Sequence, residues 1–340
     1  MLAAMTDGPT SANSSPQAAP MQPAKQICSE LLRRELLLVT GKGGVGKSTV
    51  AQALARQAAA QGKRVLLVEL ESVSRAGPLF GMAHPGPIPA RAAPNIDVMA
   101  LDVMDSLRFF AIQQLKVETL VNLALRNRAV ESFFAAVPAI KPILTLYQVW
   151  HMLQLHGPKG DRTWDLAICD LPTSGFVQGM YQIPRTLQQA FRSGPVHNYA
   201  AGMREMLLDP QRTGLVLVTL PEDMPVVETL ELQEILRKAH GVTAAALVLN
   251  GVVPQGLELD QLAALQALGE QGSDVPVQNW LWAARVLASR RARALALVPK
   301  LAAAVQGKLV QLPFLFRRDL PLAAVDELAL HLNGQTLEPA

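Results

Sequence analysis

Eight consecutive residues, Gly41-Lys42-Gly43-Gly44-Val45-Gly46-Lys47-Ser48, have the types and spacing to hold a nucleoside triphosphate. Glycine at positions 41, 43, 44 and 46 lets backbone N–H groups, that of Val45 among them, turn inward around phosphate oxygens where side chains would clash. Lys47 would neutralise the β- and γ-phosphates, and the Ser48 hydroxyl would sit on Mg²⁺. A helix opening near Lys47 would aim its positive end, with Ser48 and Thr49 in its first turn, at the same point. The order is right for that use. The apolar run Leu36 to Thr40 leads in as a strand, and the Ala-rich stretch Val50 to Ala60 leads out as a helix.

A phosphoryl-transfer site also needs an acid near the metal and a group to place the attacking water. Asp170 ends the apolar run Trp164 to Asp170 and precedes Leu171-Pro172-Thr173-Ser174-Gly175. A carboxylate there can reach the Mg²⁺ shell through water, and the turn after it can sense the γ-phosphate. The plain alternative is an aspartate that caps a turn. Asp165, at the other end of the run, reads as structural. Glu69 and Glu71 close a second apolar run, Arg64 to Glu69. Acids two apart project to one side of an extended chain. One would orient water and the other order the loop, unless both are solvated strand ends. Lys42 points away from its own phosphates or across a gap. A second subunit could bring another nucleotide within its reach, and Lys42 would then stabilise the leaving phosphate oxygen. Otherwise it is an exposed lysine of no consequence.

Strands must hold these residues at one edge. Further strand signals lie at Asn95–Leu101, Thr213–Leu220, Ala244–Asn250 and Leu309–Leu312, with helices at Pro225–Ala239 and Val277–Ala304. Alternating strands and helices predict a doubly wound, mostly parallel α/β sheet of the P-loop type, with ligands at the carboxyl ends of the strands. The breaker-rich stretch Val73 to Pro94 reads as loop. Val103 to Leu155 is helical and unusually apolar, with Phe109-Phe110 and Phe133-Phe134, and Pro138 and Pro142 divide it. It is either buried all round or presents a docking face. Arg285, Arg290, Arg291 and Arg293 read as a solvated helix face.

Bulk composition narrows the classes. The chain has 340 residues and a net charge of +3, too small a surplus to argue for nucleic acid. Two cysteines, Cys28 and Cys169, exclude a disulfide framework and any Cys-x-x-Cys zinc or redox site. No apolar run approaches the roughly 18 residues of a membrane span, so no transmembrane segment is expected. Met1 to Gln26 lacks a signal-peptide pattern, and cytoplasmic residence is the default expectation.

The phosphate loop resembles the deviant Walker A motif of the MinD/ParA/ArsA group of dimeric ATPases. Within it the chain is most similar to the ArsA-type ATPases, which include the arsenite-pump and tail-anchored-protein targeting ATPases, and closer still to the paired bacterial ArsA-like proteins. Asp170 to Gly175 resembles their switch II pattern Asp-x-x-Pro-Thr-Gly, with the Pro-Thr pair one residue early. Ser193 to His197, Val218 to Pro221 and Val226 to Thr229 are similar to stretches of the bacterial branch. The resemblance implies a Mg-ATP-dependent dimeric ATPase switching a client protein. Its partner would be a second copy or a sister ArsA-like ATPase. It implies that Asn250 reads the adenine edge and that Pro313 belongs to the base-flanking loop. Residues 31–335 would form the ATPase domain, with a helical subdomain at about 103–155 and 176–212, after a disordered tail over 1–30. Glu71 stands where the family places its water-activating aspartate, so turnover is expected to be slow. With no Cys-x-x-Cys, no paired arsenite-binding cysteines and a short segment after switch II, neither a zinc clamp, metalloid activation nor a tail-anchor client is expected. Three readings stay beside this one: an ATP-binding scaffold that barely hydrolyses, a P-loop small-molecule kinase, and an NAD-dependent oxidoreductase using Gly41-x-Gly43-x-x-Gly46 and Glu69.

Overall fold

The computed structural model of the chain describes residues 20–70, 74–83, 85–115, 140–157, 160–269 and 275–335. Five-residue apolar runs with β-branched residues form the central strands, and all five residues are buried in β1 (Leu36–Thr40), β2 (Val65–Glu69) and β5 (Leu166–Asp170). Such runs suit a parallel sheet covered on both faces. Eight strands assemble in the order β3-β4-β2-β5-β1-β6-β7-β8, where β3 is Ala90–Ala93, β4 Ile96–Ala100, β6 Thr213–Thr219, β7 Ala246–Val252 and β8 Leu309–Pro313. Every pairing is parallel except β3 with β4 at one edge. The expected doubly wound α/β sheet is therefore present.

Alternate residues of each strand serve different cores. Leu37, Val39, Leu67, Ile168 and Val218 face one side, against α1 (Ala24–Leu32), α2 (Lys47–Ala60) and the C-terminal α11 (Leu322–Leu332). Leu36, Leu38, Val68, Cys169 and Leu217 face the other. There they meet α5 (Ile140–Leu153), α6 (Ser174–Ala190), α7 (Pro195–Leu208), α8 (Asp223–His240) and α10 (Val275–Ala304). Each fully buried Leu or Val contributes about 2 kcal/mol by leaving water. Arg56 of α2 holds Asp326 of α11 in a two-pronged ion pair, Nε to Oδ1 at 2.5 Å and Nη2 to Oδ2 at 3.1 Å. That pair and the packing beneath it fix the helix that carries Lys47 and Ser48.

Several elements depart from the sequence reading. The disordered tail expected over 1–30 does not extend through its last residues: α1 is helical, with Ile27 and Cys28 buried against the sheet. Its apolar positions at 27, 28, 31 and 32 form one helical stripe, which pays for its ordering. The breaker-rich stretch contains a short helix, α3 (Ala76–Leu79), and the antiparallel edge strand β3. Prolines 89 and 94 only bracket that strand, where no ladder hydrogen bond is lost. Pro142 lies in the first turn of α5 and does not break it. Phe109 and Phe110, on α4 (Val103–Leu115), pack against the core, with ring centroids 6.3 and 5.0 Å from Tyr147. Phe133, Phe134 and Pro138 lie outside the described residues. Asp165 is structural, as expected: Arg64 grips it with Nη2 to Oδ1 at 2.7 Å, and those hydrogen bonds hold its carboxyl below the usual range. Both cysteines are buried thiols, and burial pushes Cys28 up to about 11. Among the described residues no helix is long and apolar enough to cross a membrane.

Candidate functional site

Register brings the site together. β1 lies between β5 and β6, where the winding reverses, and its carboxyl end opens into residues 41–46. Val39 pairs with Asp170, and Asp170 in turn with Glu69, so two acids stand on neighbouring strand ends beside the loop. Ligands of open α/β sheets bind at such a reversal point.

The loop is shaped by its glycines. A Cβ on Gly41 would come within 2.2 Å of the Val218 carbonyl oxygen, so the loop passes too close to β6 for any side chain. Gly41→Ala should therefore destabilise the fold by about 2–3 kcal/mol through backbone displacement, read as a lowered urea midpoint at unchanged m-value. Gly46 has φ +91°, and its missing Cβ leaves room for the Asn250 amide, which would otherwise be 2.3 Å away. A Cβ on Gly43 or Gly44 would meet nothing within 4 Å, so the loop's outer surface is open. No side chain caps the start of α2. The first turn of an α-helix offers its N–H groups beyond the helix end, so the start of α2, with Ser48 and Thr49, is a place for an anion.

Lys47 and Ser48 are buried at that helix start, and the Lys47 ammonium folds into the loop to donate to the Lys42 carbonyl at 3.1 Å. Asp170 is buried at the end of β5, and Thr173 stands just before α6, whose first residues are Ser174 and Gly175 and whose start also has no side-chain cap. This donor set fits a phosphate chain with its magnesium ion: an ammonium, a helix start, a hydroxyl and a carboxylate around an open loop.

Of the two acids read together at positions 69 and 71, Glu69 closes β2. Glu69 is buried and accepts from the Ser74 hydroxyl and, at 2.9 Å each, from the backbone N–H groups of Arg75 and Ala76. It therefore orders the start of α3, one of the two roles foreseen for the pair. Glu71 lies outside the described residues. The α3 segment borders a cleft of about 490 Å³ with Ser48, Thr49, Gln52 and Arg75 on its walls. On the other flank a cleft of about 550 Å³ is lined by Pro221, Gly251, Phe314, Arg290 and Arg293. Asn250 and Pro313 immediately precede two of those wall residues. Asn250 also donates its amide to the Val45 carbonyl at 2.9 Å, so it fastens the loop. Of the α10 arginines read as a solvated face, Arg285, Arg290 and Arg293 are exposed, the last two beside this cleft, whereas Arg291 is half-buried and donates to the Val253 carbonyl at 2.8 Å.

Lys42 does not extend freely away from the loop. Its ammonium sits 2.6 Å from Glu228 Oε1 on α8 of the same chain. Glu228 carries no local spacing signal in the sequence, because its partner lies 186 residues away.

Comparison with known proteins agrees with this geometry. The family model described as "Anion-transporting ATPase" matches residues 34–197, the span from β1 through Asp170 and α6 to the start of α7. ATPase BagA of Mycobacterium tuberculosis is 30% identical over 260 residues, which cover 72% of this chain and 73% of that one. The arsenical pump-driving ATPase of Acidiphilium multivorum is 29% identical over 251 residues, covering 67% of this chain and 41% of the pump ATPase. An arsenical pump-driving ATPase of Escherichia coli is 28% identical over 270 residues, covering 72% and 45%. The chain thus spans less than half the length of these pump ATPases. With the reversal-point loop, its two lysines and this coverage taken together, the chain belongs to the ArsA-type, anion-transporting ATPase family.

Proposed function

We propose that the chain hydrolyses ATP with Mg²⁺ and works as a two-subunit switch for a partner protein. The observation that carries this reading is the pair of lysines on one loop. Lys47 is folded into the cradle, whereas the Lys42 ammonium leaves it for Glu228 on α8. An outward cation serves no phosphate of its own loop, but it can meet one held by a facing subunit. That subunit is a second copy or a sister ArsA-like chain.

Lys47 and the first-turn N–H groups of α2 would hold the β- and γ-phosphates. Ser48 and Asp170 would hold the magnesium ion, Asp170 through water. Bound Mg²⁺ supplies charge neutralisation on the phosphate oxygens. Lys42 of the facing subunit would stabilise the leaving oxygen, and Glu71 would orient water. Asn250 and Pro313 would flank the base beside the cleft at Phe314. Glu69, by holding α3, would couple the state of the phosphate to the neighbouring surface.

Steady-state hydrolysis should rise faster than linearly with subunit concentration, because the active species contains two subunits. Strict proportionality down to nanomolar protein would contradict the two-subunit reading. The glutamate at position 71 also supports a slower variant of this function, in which ATP closes the dimer and hydrolysis seldom follows. Single-turnover hydrolysis separates the two. The family assignment leaves the oxidoreductase reading without support, and an outward second lysine has no use in a small-molecule kinase.

A further inference from the structure

We propose that Glu228 is a positioning residue that keeps Lys42 at rest within its own subunit, and that dimer closure must break this contact before Lys42 can reach the facing site. The inference rests on the two-subunit reading above. Lys42 is the single residue of the loop that this reading sends across the boundary, and its ammonium is already engaged at 2.6 Å in the same chain. One ammonium cannot sit on Glu228 and on a facing phosphate chain in the same place.

The contact is built, not incidental. Glu228 lies in the second turn of α8, which begins at Asp223 just beyond β6. Its neighbours Val226 and Thr229 are buried against the sheet, and Thr229 donates to the Pro225 carbonyl at 2.7 Å, so the helix face carrying Glu228 is fixed. On the other side Lys42 is fixed through its backbone, because its carbonyl accepts from Lys47 at 3.1 Å and Gly41 is pressed against Val218 of β6. Both ends therefore hang on β6, and the pair spans the loop and α8. Its side chains are 37% and 40% exposed. An ion pair with that much water around it is weak enough to yield to a triphosphate and strong enough to bias where Lys42 rests. A phosphate on the Lys47 side would also recruit Lys47 away from the Lys42 carbonyl, loosening the backbone that aims Lys42. Occupation of the cradle and release of Lys42 would then be linked.

Each dimer breaks two such contacts. Removing the charge of Glu228 should therefore tighten ATP-dependent dimerisation by about 2- to 30-fold. The test is the ATPase rate of the full chain as a function of subunit concentration for wild type, Glu228→Gln and Glu228→Asp, with sedimentation in ATP giving the same concentration for Lys42→Ala and the Lys42→Ala, Glu228→Gln double variant, whose turnover is lost. Glu228→Gln is isosteric, and Glu228→Asp provides a variant that keeps the charge but falls short of Lys42. The expected result is a half-maximal concentration about 2- to 30-fold lower for Glu228→Gln, a smaller shift for Glu228→Asp, and no shift from Glu228→Gln when Lys42 is already alanine. A purely structural glutamate would lower stability and leave this concentration unchanged. An unchanged or raised half-maximal concentration in Glu228→Gln overturns the proposal, as does the same shift in the Lys42→Ala background. If wild type itself shows no concentration dependence, the two-subunit reading fails first and takes this one with it.

Discussion

Lys47→Ala abolishes useful ATP binding: affinity falls by about a hundredfold or more, measured by titration calorimetry or displacement of a fluorescent nucleotide. The size follows from where the residue sits. Lys47 is buried at the first position of α2, in a helix start that no side chain caps. Its ammonium already lies inside the loop, on the Lys42 carbonyl. A triphosphate would gain that ammonium in a partly desolvated place, where charge-assisted hydrogen bonds are roughly twice as strong as neutral ones. Alanine removes the charge but leaves the glycine geometry, so the fold should stand while binding goes. Folding can be checked by the urea midpoint, and Lys47→Arg, which keeps the charge, should recover only part of the affinity because the fork is too broad for the loop.

Lys42→Ala has a different signature. ATP affinity changes little, whereas turnover within closed dimers falls by about 100- to 1,000-fold. The distinction comes from the directions of the two side chains. Lys47 turns in and Lys42 turns out towards α8, so alanine at 42 removes nothing from its own cradle. The loss appears in kcat, the mark of an interaction made only in the transition state. Equal losses in binding and turnover would place Lys42 in its own subunit's site instead.

Much of this arrangement could be read from residue order. The strand–loop–helix around Gly41 to Ser48 was plain because apolar run, glycines and Ala-rich stretch follow one another without interruption. Asp170 could be placed because it closes an apolar run, and parallel register then aligns it with Glu69. What escaped has physical causes. Helix α1 follows a Pro- and Ser-rich stretch, and its stripe of four apolar residues is short. Strand β3, Ala90-Arg91-Ala92-Ala93, has little β propensity and exists because β4 offers it an edge. Helices α9 (Leu259–Gly269) and α11 carry weaker signals: the first is apolar on its outer face too, with Leu259 and Leu265 exposed, and the second is short and follows the proline-bracketed stretch from Pro313 to Pro321. The role of Glu69 needed the fold of the loop after it, and the Lys42–Glu228 pair needed the whole sheet.

That two subunits share each site, with Lys42 delivered from the neighbour, can be put to one measurement: the ATPase rate of a mixture of Lys42→Ala and Lys47→Ala subunits. Each variant alone should turn over at about a hundredth of the wild-type rate or less. In a mixed dimer the Lys42→Ala subunit still holds ATP, and the Lys47→Ala subunit still donates its Lys42. One complete site is thereby restored, and an equimolar mixture should reach about a quarter of the wild-type rate. A mixture no faster than the sum of its two components would show that Lys42 does its work inside its own chain.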